Sequence, residues 1–337
     1  MRVREIGNSI LAGAFALLCL PISVAPTVAR AAEDVTCQLD WLPSGGKAPV
    51  FIGVVKGFFA EDGLNVTVKS SRGAGDAIIR AATGTADFAT GDMGTLLNAR
   101  AQGAVPVKAF FSVYTKLPDS VITVKGNGIT TIKDLVGKTV GNAPFGGEDA
   151  LWAAVLSLNG IDPKSVKMVS LDPKVHGPML ASGKVDALID WATGAPGFAH
   201  VLAQAGKQID IIPWANYGLE GYGLSVFTSE KMIRERPQTV ARFAHAFRKS
   251  LMYTLAHPEE SGPAVKALAP EVDAGFETEN WTQSVWLIDN EISKRDGIGT
   301  FEPALLKKTW MWVAKSHGYP IDKIDPEQAV DRSFLGE

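Results

Sequence analysis

Residues 38–68 read QLDWLPSGGKAPVFIGVVKGFFAEDGLNVTV: an apolar strand, a turn with an aromatic and two glycines, an amphipathic helix, a glycine stop and an alternating strand. Val50, Phe51, Val54, Val55 and Phe58 recur at helical spacing. Gly63 ends that element, and Leu64, Val66 and Val68 alternate as a strand does. A strand–helix–strand unit sets its first turn at the carboxyl end of a parallel sheet, where open α/β folds bind small molecules. Trp41, Ser44, Gly45, Gly46 and Lys47 stand in that turn, which is therefore expected to form one wall of a ligand cleft.

Outward from this unit the chain keeps alternating strands and helices. Asp76 is placed to cap a helix over Ala77–Thr83, and Gly91-Asp92-Met93 opens a helix over Gly94–Ala101. Strands are expected at Val107–Tyr114, Val121–Val124, Thr139–Gly141, Val166–Leu171, Val185–Ile189 and Gly223–Thr228. One helix is read from Glu148 to Leu158 and another from Pro173 to Ser182. From Pro237 onward the pattern is helical, with segments around Pro258–Leu268, Glu279–Ser293 and Pro303–His317. Trp281, Trp286, Trp310 and Trp312 lie in these and are expected to pack in the core. Residues 81–89, AATGTADFA, resemble residues 180–188, LASGKVDAL. Both read helix end, glycine, small apolar residue, aspartate, strand. With the flanking elements in the same order, this points to two similar lobes facing each other.

Residues 1–31 have the make-up of a secretory signal peptide: Arg2 and Arg4, an apolar run of 11 residues from Ile10 to Leu20, and Ala29-Arg30-Ala31 as cleavage site. That run is well short of the ~20 residues needed to span a bilayer. Removing Arg2, Arg4, Arg30 and Glu5 with it takes the formal charge from −3 to −5. A mildly acidic chain with no basic run gives no reason to expect nucleic acid or anionic membrane as a partner. Cys19 leaves with the leader and Cys37 remains, so folding relies on the core and not on an internal disulfide.

The five histidines are scattered, with no metal-ligand spacing, no nucleophile elbow, no dinucleotide fingerprint and no phosphate loop. No metal or cofactor is expected. The remaining candidates stand at strand ends. Gly146-Gly147 before Glu148 either presents backbone N–H groups to an anionic or polar ligand group, or is a plain glycine turn. Asp92, followed by Met93, is either a ligand contact or an N-cap. Asp190-Trp191 closes a strand, and a tryptophan leaving a buried strand into a loop favours the cleft. Trp214, Tyr217 and Tyr222 lie in a glycine-rich segment near the return crossing.

Leu39-Asp40-Trp41-Leu42-Pro43, Ala48-Pro49, Lys56-Gly57-Phe58-Phe59-Ala60-Glu61-Asp62-Gly63-Leu64 and Ile132-x-Asp134-Leu135-x-Gly137-Lys138 resemble the NMT1/THI5-like periplasmic substrate-binding proteins. The two glycine–aspartate segments match that pattern as well. The resemblance implies an α/β, type II periplasmic-binding-protein fold of two doubly wound lobes. It places one lobe at residues 32–117 with 226–337, the other at 118–225, hinge crossings near Tyr114–Ser120 and Tyr222–Thr228, and a C-terminal helical extension. Trp41, Lys47, Asp92, Met93, Tyr114, Gly146, Gly147, Glu148, Asp190, Trp191 and Tyr222 are then the expected ligand-binding residues. The implied function is a monomeric periplasmic solute-binding protein that delivers a small planar heterocycle, such as a thiamine pyrimidine precursor, to an ABC importer permease with its cytoplasmic ATPase. Alternatives are a sulfonate, taurine or nitrate binder of the same class, a pyrimidine synthase of the same fold, or a periplasmic sensor lobe. Lys47 stands where pyrimidine binders often carry histidine; it either favours an anionic ligand or is solvated.

Overall fold

The computed structural model describes residues 1–2, 32–103, 105–144 and 146–335, so the signal-peptide reading falls outside the described residues except for Met1 and Arg2. From Ala32 onward the chain forms one compact unit built on two five-stranded sheets. The first contains β1 (Glu33–Gln38), β2 (Leu64–Lys69), β3 (Phe88–Asp92), β4 (Val107–Ser112) and β10 (Leu224–Ser229). The second contains β5 (Asp119–Val124), β6 (Thr139–Asn142), β7 (Lys167–Ser170), β8 (Ala187–Trp191) and β9 (Ile209–Pro213).

The two sheets have one topology. The first runs β2-β1-β3-β10-β4 and the second β7-β6-β8-β5-β9. In each, three parallel strands are followed by a strand antiparallel to both its neighbours, β10 or β5. The repeated glycine–aspartate segment explains part of this likeness. The Asp87 carboxylate accepts the Thr36 N–H at 2.9 Å, and the Asp186 carboxylate accepts the Thr139 N–H at 2.8 Å. Each aspartate thereby ties the start of its parallel strand to the neighbouring strand. The match extends one strand further. Thr228 of β10 donates its hydroxyl to the Asp87 carbonyl at 2.7 Å, and Thr123 of β5 donates to the Asp186 carbonyl at 3.0 Å.

Apolar packing on the first sheet centres on a row of aromatics. Phe88 stacks on Phe243 with centroids 3.9 Å apart, and Phe59 stacks on the other side of Phe243 at 4.9 Å. Phe243 belongs to the helix Pro237–Ala256, whose Val240, Phe247 and Leu251 are buried on the same stripe. The helix Pro303–His317 starts where the sequence places it, capped by Glu302 and stopped by Gly318 in a left-handed conformation. Its Trp310, Trp312 and Val313 share one core with Val121, Val140, Trp152 and Trp214 around the second sheet and with Leu96 and Val107 around the first. This helix therefore braces both sheets.

Several boundaries differ from the sequence reading. The helix after Gly73 starts at Ala74, so Asp76 sits inside its first turn and bonds Arg80 at 3.1 Å instead of capping. The segment read as one helix from Glu148 to Leu158 is a 3-10 turn (Gly147–Ala150), then a short helix, Trp152–Leu158. The helix read over Glu279–Ser293 runs from Ala274, capped by Asp273, to Ile288, and Asn290 caps a separate helix, Glu291–Asp296. Trp286 is 44% exposed, unlike the other three tryptophans of these helices. Ile209–Pro213 pairs as an edge strand beside β5; its proline fits an edge position.

Replacing Asp186 with alanine leaves the Thr139 N–H without its acceptor and is expected to cost about 1–2 kcal/mol. Urea unfolding followed by circular dichroism reads this directly; an unchanged midpoint contradicts the role given to the repeated aspartate.

Candidate functional site

The turn after β1 is held in place from a distant part of the chain. Gly45 donates its N–H to the Glu277 carboxylate at 2.6 Å, and a Cβ at Gly45 would lie 1.8 Å from the Glu277 carbonyl oxygen. Only glycine lets this turn lie against the helix Ala274–Ile288. Tyr114 donates its hydroxyl to the Gly46 carbonyl at 3.0 Å from the other side. Thus fixed, the turn projects Trp41 and Lys47 toward the ends of β6 and β8.

Between these ends lies a cavity of about 330 Å³, at the low end of the range for small-ligand sites. The first sheet's side contributes Asp40, Trp41, Lys47, Gly73 and Ala74, with Glu277 and Asn280 from the helix above. The second sheet's side contributes Glu148, Asp190, Trp191 and Thr193, with Lys174, Gly177, Phe198 and Val201 from its helices. Trp41 is half-buried, and its ring lies 5.8 Å from His176. Trp191 packs on Tyr114 at 5.7 Å, and its Nε1–H has no acceptor among the described residues.

Lys47 is only 3% exposed. Its ammonium pairs with Asp40 at 3.1 Å and sits 4.0 Å from the centre of the Trp191 ring, a cation–π contact linking one side of the cavity to the other. It is thus not solvated, which sets aside one of the two sequence-based alternatives for this residue. Burial pulls its pKa down, opposed by Asp40, Glu148 and Asp190. Around it gather buried acids. Asp190 accepts the Trp191 N–H at 2.8 Å and meets His176 Nδ1 at 3.2 Å. Burial, with Asp190 and Asp119 nearby, raises the Glu148 carboxyl well above its usual range. Burial, with Asp92 and Asp190 nearby, does the same for Asp119, neither of whose side-chain oxygens has a partner among the described residues.

Of the expected residues, Trp41, Lys47, Glu148, Asp190 and Trp191 come together on the cavity surface. Tyr114 supports Trp191 and the glycine turn from behind. Gly146 and Gly147 precede Glu148 in the 3-10 turn and do not open a long helix. Asp92 and Met93 are buried behind the cavity; Asp92 is the N-cap of the helix Met93–Gln102, accepting the Thr95 N–H at 2.9 Å. Burial pushes Asp92 up to about 7 against the Thr95 and Gly94 N–H groups. Tyr222 stands away from the cavity: its hydroxyl accepts the Glu302 N–H at 2.5 Å and its ring packs on Phe301. Trp214 is wholly buried against Trp152. The sequence reading passed over Phe198, His176, Glu277 and Asn280. Phe198 and His176 lie one helix away from recognised strand ends, whereas Glu277 and Asn280 carried no local signal.

Cys37 is free and buried in β1, its thiol pushed up to about 12 by burial. Among the described residues no helix is long and apolar enough to cross a membrane. One group with metal-ligating side chains, His257, Glu259 and Glu260, lies outside the cavity. Its Glu260 already bonds Lys56 and Tyr253.

Residues 46–261 match the family described as NMT1/THI5 like. A riboflavin-binding protein of Chloroflexus aurantiacus is 26% identical over 320 residues, covering 92% of this chain and 88% of its own. A 4-amino-5-hydroxymethyl-2-methylpyrimidine phosphate synthase of Legionella pneumophila is 26% identical over 67% of this chain and 71% of its own. Among solved structures, the alkanesulfonate-binding protein of Xanthomonas axonopodis bound to MOPS superposes with a TM-score of 0.70. That match spans 90% of this chain and 100% of the other at 12% identity, a likeness of fold.

A carboxyl whose pKa is raised by folding binds its proton more tightly in the native state. The stability it contributes is whole below the ordinary carboxylate pKa and is lost as pH rises toward the folded value. Asp92, Asp119 and Glu148 all shift in this direction. The melting temperature of the ligand-free protein should therefore fall as pH rises from the ordinary carboxylate range toward about 7, the value to which burial pushes Asp92, and Asp92→Asn, which keeps the cap, should flatten that slope. A melting temperature that rises over this window, read by calorimetry, contradicts the burial of these acids.

Proposed function

Because the chain belongs to the NMT1/THI5-like family, we propose that it is an extracytoplasmic solute-binding protein. It captures one small planar heterocycle between its two lobes and delivers it to an ABC importer. The observation that carries this reading is the cavity itself: about 330 Å³ at the carboxyl ends of both sheets, with Trp41 on one side and Trp191 on the other. Two large rings on opposing walls suit a flat, apolar body, and the acids between them suit its polar edge. The pyrimidine and flavin chemistry named for its relatives agrees with a ring of that kind.

The lobes close around the solute as a hinge, and the permease recognises the closed form. Lys47 contributes to closure by reaching from Asp40 to the Trp191 ring. The leader at residues 1–31 directs the protein to the periplasm, where it acts as a monomer. The binding role is preferred over the synthase activity of some relatives because Cys37, the one cysteine beyond that leader, is sealed inside β1, which leaves no thiol near the cavity for chemistry.

A thermal-shift screen of pyrimidines, flavins, aromatic acids, alkylsulfonates and nitrate is expected to find its hits among the heterocycles. Calorimetry of the best hit with Trp41→Ala and with Trp191→Ala should show binding weakened by about tenfold or more in each, roughly the worth of one lost stacking contact. Unaltered affinity in both variants refutes the cleft assignment.

A further inference from the structure

The charge inside the cavity bears on which solute fits. Of its lining acids, Asp40 is matched by Lys47 at 3.1 Å, Glu277 accepts the Gly45 N–H at 2.6 Å, and Asp190 is bonded to Trp191 N–H and His176. Glu148 is different. It lines the cavity, is 8% exposed, and among the described residues meets no cation within ion-pair distance. Behind it stand both oxygens of Asp119 and one of Asp92, without partners among the described residues. Lys47 is engaged on both sides by Asp40 and Trp191, whereas Lys174 stands exposed at the rim, where its ammonium is hydrated.

We propose that the cleft selects a planar solute bearing a protonated or cationic nitrogen group, which Glu148 receives with Asp190 beside it, and that it rejects anions. This rests on the binding-protein reading above and adds the sign of the ligand's charge. A desolvated carboxylate without a partner is costly, and a donor cation entering the cavity removes that cost and stabilises its ionised form. An anion placed there would meet Glu148 and Asp190 at close range with Asp119 and Asp92 behind, at low dielectric.

Benzamidinium, benzamide and benzoate share one planar shape and carry charges of +1, 0 and −1. Titrated calorimetrically into the chain from Ala32, benzamidinium should bind at least about tenfold tighter than benzoate. Glu148→Gln should collapse that ratio, whereas Glu148→Asp, which keeps the charge, should retain it; circular dichroism melts establish that each variant is folded. Tighter binding of benzoate, or a ratio unchanged in a folded Glu148→Gln protein, overturns the charge proposal and leaves the binding-protein reading standing. So does silence of benzamidinium in a protein that binds a neutral heterocycle. Silence toward every solute overturns both.

Discussion

The arrangement of the cleft depends on one buried ammonium. Lys47 pairs with Asp40 and lies against the face of Trp191, with the charges of Glu148 and Asp190 farther off. A lysine so fully removed from water keeps its charge only where such partners replace hydration. The partners come from both sheets, so the satisfaction of Lys47 joins the strand ends of one sheet to those of the other. The glycine turn that carries it is in turn locked by Glu277 and Tyr114. The helix Ala274–Ile288 therefore fixes the positions of Trp41 and Lys47 through direct contacts with their turn.

The rest of the molecule serves to bring two sets of strand ends face to face. Each lobe uses an aspartate after a glycine stop to tie its parallel strands, and a threonine on the antiparallel strand to bond the same residue's carbonyl. Equivalent strand ends thus carry equivalent loops: the Trp41 turn follows the first parallel strand of one sheet, and the Glu148 turn follows the first parallel strand of the other. The helix Pro303–His317 packs into the core shared by both sheets and ties them together on that side.

Much of this was legible from residues 38–68 and from the repeated glycine–aspartate segment, because alternation and helical spacing report directly on strands and helices. Trp41 and Trp191 could be placed because a large aromatic just past a buried strand has few other places to go. The partners of Lys47 were not legible. Periodicity says which face of an element is apolar and is silent on which distant loop will meet it. For the same reason the sequence is silent on Glu277 and Asn280, which line the cavity, and on the bond that Tyr222 makes to Glu302 away from it. Local competition explains the broken helix after Gly147: the 3-10 turn bends Glu148 into the cavity before the regular helix begins at Trp152.

The central claim is that a solute lies between Trp41 and Trp191 in the inter-lobe cavity. The most direct measurement is a crystal structure of the protein grown with the tightest-binding solute from the screen. Density for a flat ring within van der Waals distance of both tryptophans, with its polar edge at Glu148, is the expected result. Density in the separate pocket lined by Trp286, Glu220 and Lys308, with the cavity between the two tryptophans left empty, would contradict it.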